Sequence, residues 1–191
     1  MLKTLFLQPP SFDGFDGGAG SRYQARREVR SFWFPTWLAQ PAALVPGSKL
    51  VDAPPARLGM KDVLPLARDH ELVVMHTSTP SFGSDARVAE ALKAENPGLV
   101  VGLVGARVAV DPAGALANAR AVDFVARAEF DFTIREVAEG RPLAEVAGLS
   151  WRGPDGAAVH NPERAMLEDM DALPFVSQVY ARDLRVEDYF I

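Results

Sequence analysis

Five short runs of almost unbroken apolar residues, each separated from the next by room for a helix, constrain this chain more than any other feature. They are LKTLFLQ (2–8), KLVDAP (49–54), ELVVMHTST (71–79), LVVGLVG (99–105) and VDFVARAEF (122–130). A strand with one wet face alternates apolar and polar residues, whereas a strand that is apolar throughout is covered on both sides. Most of the intervals carry helical patterns. MKDVLPLARD is interrupted by Pro65, and FGSDARVAEALKAENPG turns Val88, Ala89, Ala91 and Leu92 inward and stops at Asn96, Pro97 and Gly98. DPAGALANAR holds Pro112 near its first turn. Strands alternating with helices give parallel crossovers. The expectation over residues 1–140 is therefore a doubly wound α/β domain, Rossmann-like, around a mostly parallel five-stranded sheet.

Beyond the fifth run, DFTIREVAEG reads as a helix closed by Gly140. GLSWRGPDGAAVHNP then has the form strand, turn, strand, which predicts a β-hairpin within an extension over 141–175. Residues 176–191 read as an extended linker leaving the domain. Open α/β sheets bind ligands outside the carboxyl ends of their strands. Here those ends are Gln8 to Gly20, Ala53 to Gly59, Thr77 to Gly83, Gly105 to Asp111 and Arg127 to Asp131.

Composition narrows the chemistry. A net charge of −5 opposes general binding of nucleic acid, although Arg22, Arg26, Arg27 and Arg30 make one segment locally basic. No apolar run approaches the roughly 18 residues of a membrane span, and the N-terminus lacks a signal-peptide layout, so a cytoplasmic location is the default. The chain has no cysteine, which removes disulfides, thiolate metal sites, iron–sulfur ligation and cysteine nucleophiles from these residues. Its histidines, His70, His76 and His160, are too scattered to suggest a metal set. No spacing demands a catalytic dyad or triad, and no catalytic residue is assigned.

Several clusters near the predicted ligand edge carry two readings each. The glycines between Gly14 and Gly20 suit a phosphate cradle or a plain surface loop. GFDGGAG matches neither the dinucleotide nor the P-loop pattern, which disfavours a flavodoxin-like nucleotide binder. Phe32, Trp33, Phe34 and Trp37 have the spacing of a helical stripe, suited to packing on another domain or serving a non-catalytic interaction module. Thr77, Ser78 and Thr79 suit either turn and capping chemistry or hydrogen bonding to a polar cofactor rim. His76 falls inside a strand pattern and reads as a core histidine. Asp13, Asp16, Glu129 and Asp131 offer carboxylates for acid or base work without a spacing that requires it.

From the fifth run onward the motifs become specific as an ordered set. VDFVARAEFDFTIREVAEG is followed by GLSWR, a DG hairpin tip, NPER and DALPF, and the chain opens with LFLQPPSF. This order resembles the cobalamin-binding domain of radical SAM proteins over nearly the whole chain. FDGGAGSRYQARREVRSFWFPTWLAQPAALVPGSKLVDAPP further resembles the hopanoid-biosynthesis branch of that family, associated with the cyclitol ether head group of bacteriohopanetetrol.

The resemblance implies a cobalamin-binding-type sheet with a corrinoid over its carboxyl edge. Pro9, Pro10, Gly14, Gly17, Gly18, Thr77, Ser78, Thr79, Gly105, Ala106, Arg107, Ala128 and Glu129 would border that cofactor. It also implies a following barrel that holds a [4Fe-4S] cluster, cleaves S-adenosylmethionine to a radical and acts on a hopanoid lipid, with peripheral membrane contact open. On this reading the chain is the N-terminal portion of a longer enzyme and is inactive alone. It departs from the family pattern at three places. Ser11 to Gly20 contains no histidine, so no lower axial ligand to cobalt is implied. The expected G-G-x-H is VGAR, with Arg107 for the histidine, and the expected G-E-x-E is AEFD, with Ala128 for the glycine. A scaffold that binds no corrinoid is the alternative.

Overall fold

The computed structural model describes residues 1–10, 12 and 33–189. In chain order the elements are β1 (Thr4–Gln8), α1 (Thr36–Leu44), β2 (Lys49–Asp52), α2 (Ala53–Ala56), α3 (Met60–Arg68), β3 (Leu72–His76), α4 (Phe82–Glu95), β4 (Val100–Val104), α5 (Ala106–Val110), α6 (Pro112–Asn118), β5 (Phe124–Ala126), α7 (Asp131–Ala138), β6 (Leu149–Arg152), β7 (Ala158–His160) and α8 (Ser177–Asp183).

The strands form one sheet in the order β2-β1-β3-β4-β5-β6-β7. The first five are parallel, and β6 and β7 continue the sheet antiparallel. The fold is thus the expected doubly wound α/β type, but the sheet has seven strands rather than five. The hairpin is not an appendage: its first strand pairs with β5 through Phe124 and Trp151, Val125 and Ser150, and Ala126 and Leu149. A short strand left at the edge of a parallel sheet would expose unpaired backbone groups, and the returning hairpin satisfies them.

Both sheet faces are dry, as the unbroken apolar runs require. Successive side chains of β1 alternate between the two cores. Leu5 and Leu7 join Val73, Met75, Val101 and Leu103 beneath α3, α4 and α6, while Phe6 joins Val74, Val104 and Phe124 beneath α1 and α7. A Cβ on Gly102 would lie 2.1 Å from the Phe124 ring, so glycine in β4 clears the space that this ring fills. Two helices depart from expectation. The α3 helix runs through Pro65 without a break, and α5 begins immediately after Gly105, where only a loop was expected.

The motifs that carried the family resemblance largely hold this architecture together. Asn161 donates from Nδ2 to the carbonyls of Leu143 and Val146 and accepts from Trp151 Nε1 at 3.1 Å. Arg164 donates to Thr133 Oγ1 at 2.7 Å and to Glu136 Oε1 at 2.5 Å, tying the segment after β7 to α7. Arg152 donates to the Leu116 carbonyl at 2.7 Å, at the end of α6.

The C-terminal segment also differs from the extended linker expected over 176–191. Residues 177–183 are helical, and Val179 is buried in the core beneath α1. Asp183 accepts the Leu50 N–H at 3.0 Å on the outer edge of β2. Phe34 is stacked between Tyr180 and Tyr189, at 4.4 and 4.5 Å between ring centres, and Tyr189 donates to the buried Asp52 at 2.7 Å. Among the described residues no helix is long and apolar enough to cross a membrane.

Candidate functional site

The carboxyl ends of β1, β3, β4 and β5 lie along one edge of the sheet, and their chemistry differs from end to end. After β1 come Pro9 and Pro10, both buried. The last residue of β1, Gln8, is also buried and accepts a hydrogen bond from Trp37 Nε1 at 3.2 Å. The Trp37 ring lies 5.0 Å from that of His76, the last residue of β3. Trp33 lies before α1 and is 61% exposed, so the helical stripe expected of the two tryptophans is not formed. Phe34 is occupied by its tyrosine neighbours. Gly14, Gly17, Gly18, Phe32, Asp13 and Asp16 lie outside the described residues.

Of the three hydroxyls after β3, the first faces inward. Thr77 is fully buried; its N–H bonds the Val104 carbonyl at 2.9 Å, and its hydroxyl donates to Asp85 Oδ2 at 2.6 Å. Ser78 is half-buried, with its N–H on Ser81 Oγ at 3.0 Å and its hydroxyl 2.8 Å from the same oxygen, a local turn closed by side chains. Only Thr79 is exposed. Turn chemistry therefore accounts for Thr77 and much of Ser78. Asp85, in the first turn of α4, is 4% exposed, and burial pushes its carboxyl up to about 7 against the hydroxyls of Thr77 and Ser81, which pull it down.

At the end of β4, Gly105 has φ +121°, and a Cβ there would lie 2.2 Å from the Thr77 carbonyl oxygen and 3.1 Å from His76 Nε2. Glycine is obligatory at this junction on two counts, backbone conformation and space. Ala106, next to it, is exposed. Arg107 lies with its guanidinium carbon 5.1 Å from the centre of the Phe82 ring and its Nη1 3.6 Å from Asp111 Oδ2, directed along α4 and α6.

After β5, Ala128 is exposed and adopts φ +50°. Its backbone is the left-handed conformation natural to glycine, kept although the side chain has a methyl group. Glu129 accepts the Leu167 N–H at 2.8 Å. Together with Asp131, Phe132, Met166 and Met170 it borders a cavity of about 520 Å³. Asp131 opens α7; its carboxyl is raised to about 6 chiefly by burial, opposed by its own backbone N–H, with the Glu129 carboxylate adding to the rise.

The edge from β3 to β5 is thus a ledge of small residues, Ser78, Thr79, Gly105, Ala106 and Ala128, with bulk only at its flanks. Among the described residues no group of three or more His, Asp or Glu is placed to hold a metal ion. Asp85 belongs to this neighbourhood and was not singled out from sequence. A buried Asp in the first turn of a helix looks in sequence like an ordinary dipole-favoured carboxylate.

No family model and no curated protein matches the sequence. Solved structures do match the fold. The structure of the cobalamin-dependent S-adenosylmethionine radical enzyme OxsB with aqua-cobalamin and S-adenosylmethionine bound is similar at a TM-score of 0.63 and 12% identity, covering 86% of this chain. OxsB with aqua-cobalamin bound gives 0.60 at 13% identity over 86% of this chain, and the apo form gives 0.60 at 12% over 75%. This chain spans 21–23% of the length of those enzymes, and at these identities the likeness is one of fold.

Proposed function

We propose that this chain is a cobalamin-binding-type domain of a radical SAM enzyme of hopanoid lipid biosynthesis, the branch associated with sugar ring contraction to a cyclitol ether. The observation that carries the reading is the small-residue ledge at the carboxyl edge of β3, β4 and β5, on a fold shared with a cobalamin-dependent enzyme. The ordered motifs of the sequence support it independently. The hopanoid assignment rests on the resemblance of the segment between Phe15 and Pro55.

Backbone and side chains of Ser78, Thr79, Gly105, Ala106, Ala128 and Glu129 would border a corrinoid, and Gly105 would let it approach the backbone. Bound there, the corrinoid would supply cobalt chemistry that no side chain of this chain offers. The residues themselves bind and orient: Glu129 fixes the segment from Glu163 to Met170 beside the ledge through the Leu167 N–H. The cluster and S-adenosylmethionine belong, on this reading, to a barrel outside these residues. Exposed Met166, Met170 and Phe175 offer it an apolar surface beside the ledge, with 79%, 64% and 88% of each residue accessible.

The test is retention of hydroxocobalamin through desalting by a chain shown folded by circular dichroism. Retained corrin absorption, lost in Gly105→Leu, is the expected result. A folded wild-type chain without corrin bands would favour the scaffold reading, which the inward commitment of the Thr77 hydroxyl supports. For the enzyme context, sequencing the source locus past the codon for Ile191 is expected to show an in-frame C-x-x-x-C-x-x-C; a frame without it would remove the radical SAM assignment.

A further inference from the structure

One residue ties three elements together at the middle of the ledge. Thr77 extends β3, gives its N–H to the Val104 carbonyl of β4, places its own carbonyl against Gly105, and gives its hydroxyl to Asp85 of α4. The Asp85 carboxyl is buried, and among the described residues no cation pairs with it. Its surroundings are the hydroxyls of Thr77 and Ser81, and Ser81 in turn holds the Ser78 N–H and hydroxyl. Burial favours the protonated form of this carboxyl, against the hydroxyls of Thr77 and Ser81, which favour the charged one.

We infer that Asp85 is a positioning residue: through Thr77 and Ser81 it sets the Thr77–Ser78 peptide against Gly105 and so fixes the floor on which a ligand of the ledge rests. The inference rests on the corrinoid reading for the identity of the ligand, but not for the geometry. Loss of the proton places a charge in a desolvated position beneath the ledge, a penalty that opening of the turn to water relieves, so opening becomes more favourable. The other ionisable groups of this neighbourhood are His76, which precedes Thr77, Arg107 on α5 beside Asp111, and Arg87 on α4, whose guanidinium lies over Phe12. The arginines do not titrate near neutrality, so a pH effect arises at Asp85 or at His76.

Two readouts on wild type, Asp85→Asn and Asp85→Ala distinguish the outcomes. Backbone hydrogen exchange at Thr77, Ser78 and Gly105, without ligand, is expected to quicken on the order of tenfold in wild type as pH passes about 7 beyond the intrinsic pH effect; Asp85→Asn should abolish this, and Asp85→Ala should exchange fast throughout. Cyanocobalamin, whose axial ligands do not titrate in this range, should be retained severalfold less by wild type above that pH, and equally at all pH by Asp85→Asn. A wild type that retains no corrin at any pH ends the corrinoid reading, while the exchange result still decides Asp85. A pH profile unchanged in Asp85→Asn assigns it to His76 and overturns the inference. So does a folded Asp85→Ala chain with wild-type exchange. If Asp85→Ala does not fold, the wild-type and Asp85→Asn profiles decide alone.

Discussion

The ends of β3 and β5 each carry a carboxylic acid held well above the ordinary range, and the two acids sit in opposite settings. Asp85 is enclosed, bonded by hydroxyls, and used to hold a turn. Asp131 borders a cavity and has a second carboxylate, Glu129, beside it. Burial raises both, but only at β5 does charge repulsion contribute. The comparison separates a buried acid that shapes the ledge from a cavity-side acid that a ligand can reach.

The sharpest way to break this comparison is to deform the floor itself. Gly105→Leu should destabilise the fold by about 3 kcal/mol or more, because a Cβ there meets the Thr77 carbonyl and φ is left-handed; urea denaturation measures it, and a loss below about 1 kcal/mol would show that the β3–β4 junction yields easily. Next in size, Asp85→Ala should cost about 2 kcal/mol at acidic pH by leaving the buried Thr77 hydroxyl without its acceptor, with Asp85→Asn recovering most of it.

The third effect is on pH. The unfolded Asp85 carboxyl titrates near 3.8 and the folded one near 7, so between those values the fold holds a proton that the unfolded chain has released. Its contribution is therefore full below the lower value and is lost as pH rises to the upper, with a slope of up to about 1.4 kcal/mol per pH unit. Asp131 acts in the same sense over a narrower window, from 3.8 to about 6. Denaturation midpoints across this range should flatten more in Asp85→Asn than in Asp131→Asn; the reverse order would exchange the roles assigned to the two acids. The smallest effect belongs to Ala128→Gly, a change of no more than about 1 kcal/mol, since relief of a left-handed alanine is offset by the freer unfolded chain.

How much of this was legible in the sequence follows from the range of the interactions involved. The alternation of apolar runs and helices is local, and it gave the parallel sheet and its two dry faces. The hairpin was also local, but its pairing with β5 joins Phe124 to Trp151 across an intervening helix, and no period in the sequence encodes that partner. Residues 177–183 contribute a single buried side chain, Val179, too little for an amphipathic signal. At the site, Gly105 was found because it closes the fourth apolar run, at a predicted carboxyl end, and matches a glycine of the family pattern. Asp85 was missed because its burial depends on Thr77 and Ser81 folding back over it. Asn161 and Arg164 were noticed as parts of a family motif, and the structure gives each a mechanical task in anchoring the hairpin.

The stacking of Phe34 between Tyr180 and Tyr189 bears on how the chain folds as it is made. Asp183 covers the outer edge of β2 and Tyr189 caps its last residue, Asp52, so that edge is sealed by side chains more than a hundred positions later. Loop closure over such a span comes late, after the neighbouring strands can already pair. Until α8 has docked, Leu50 presents its N–H to solvent on an open strand, the kind of edge that recruits other chains.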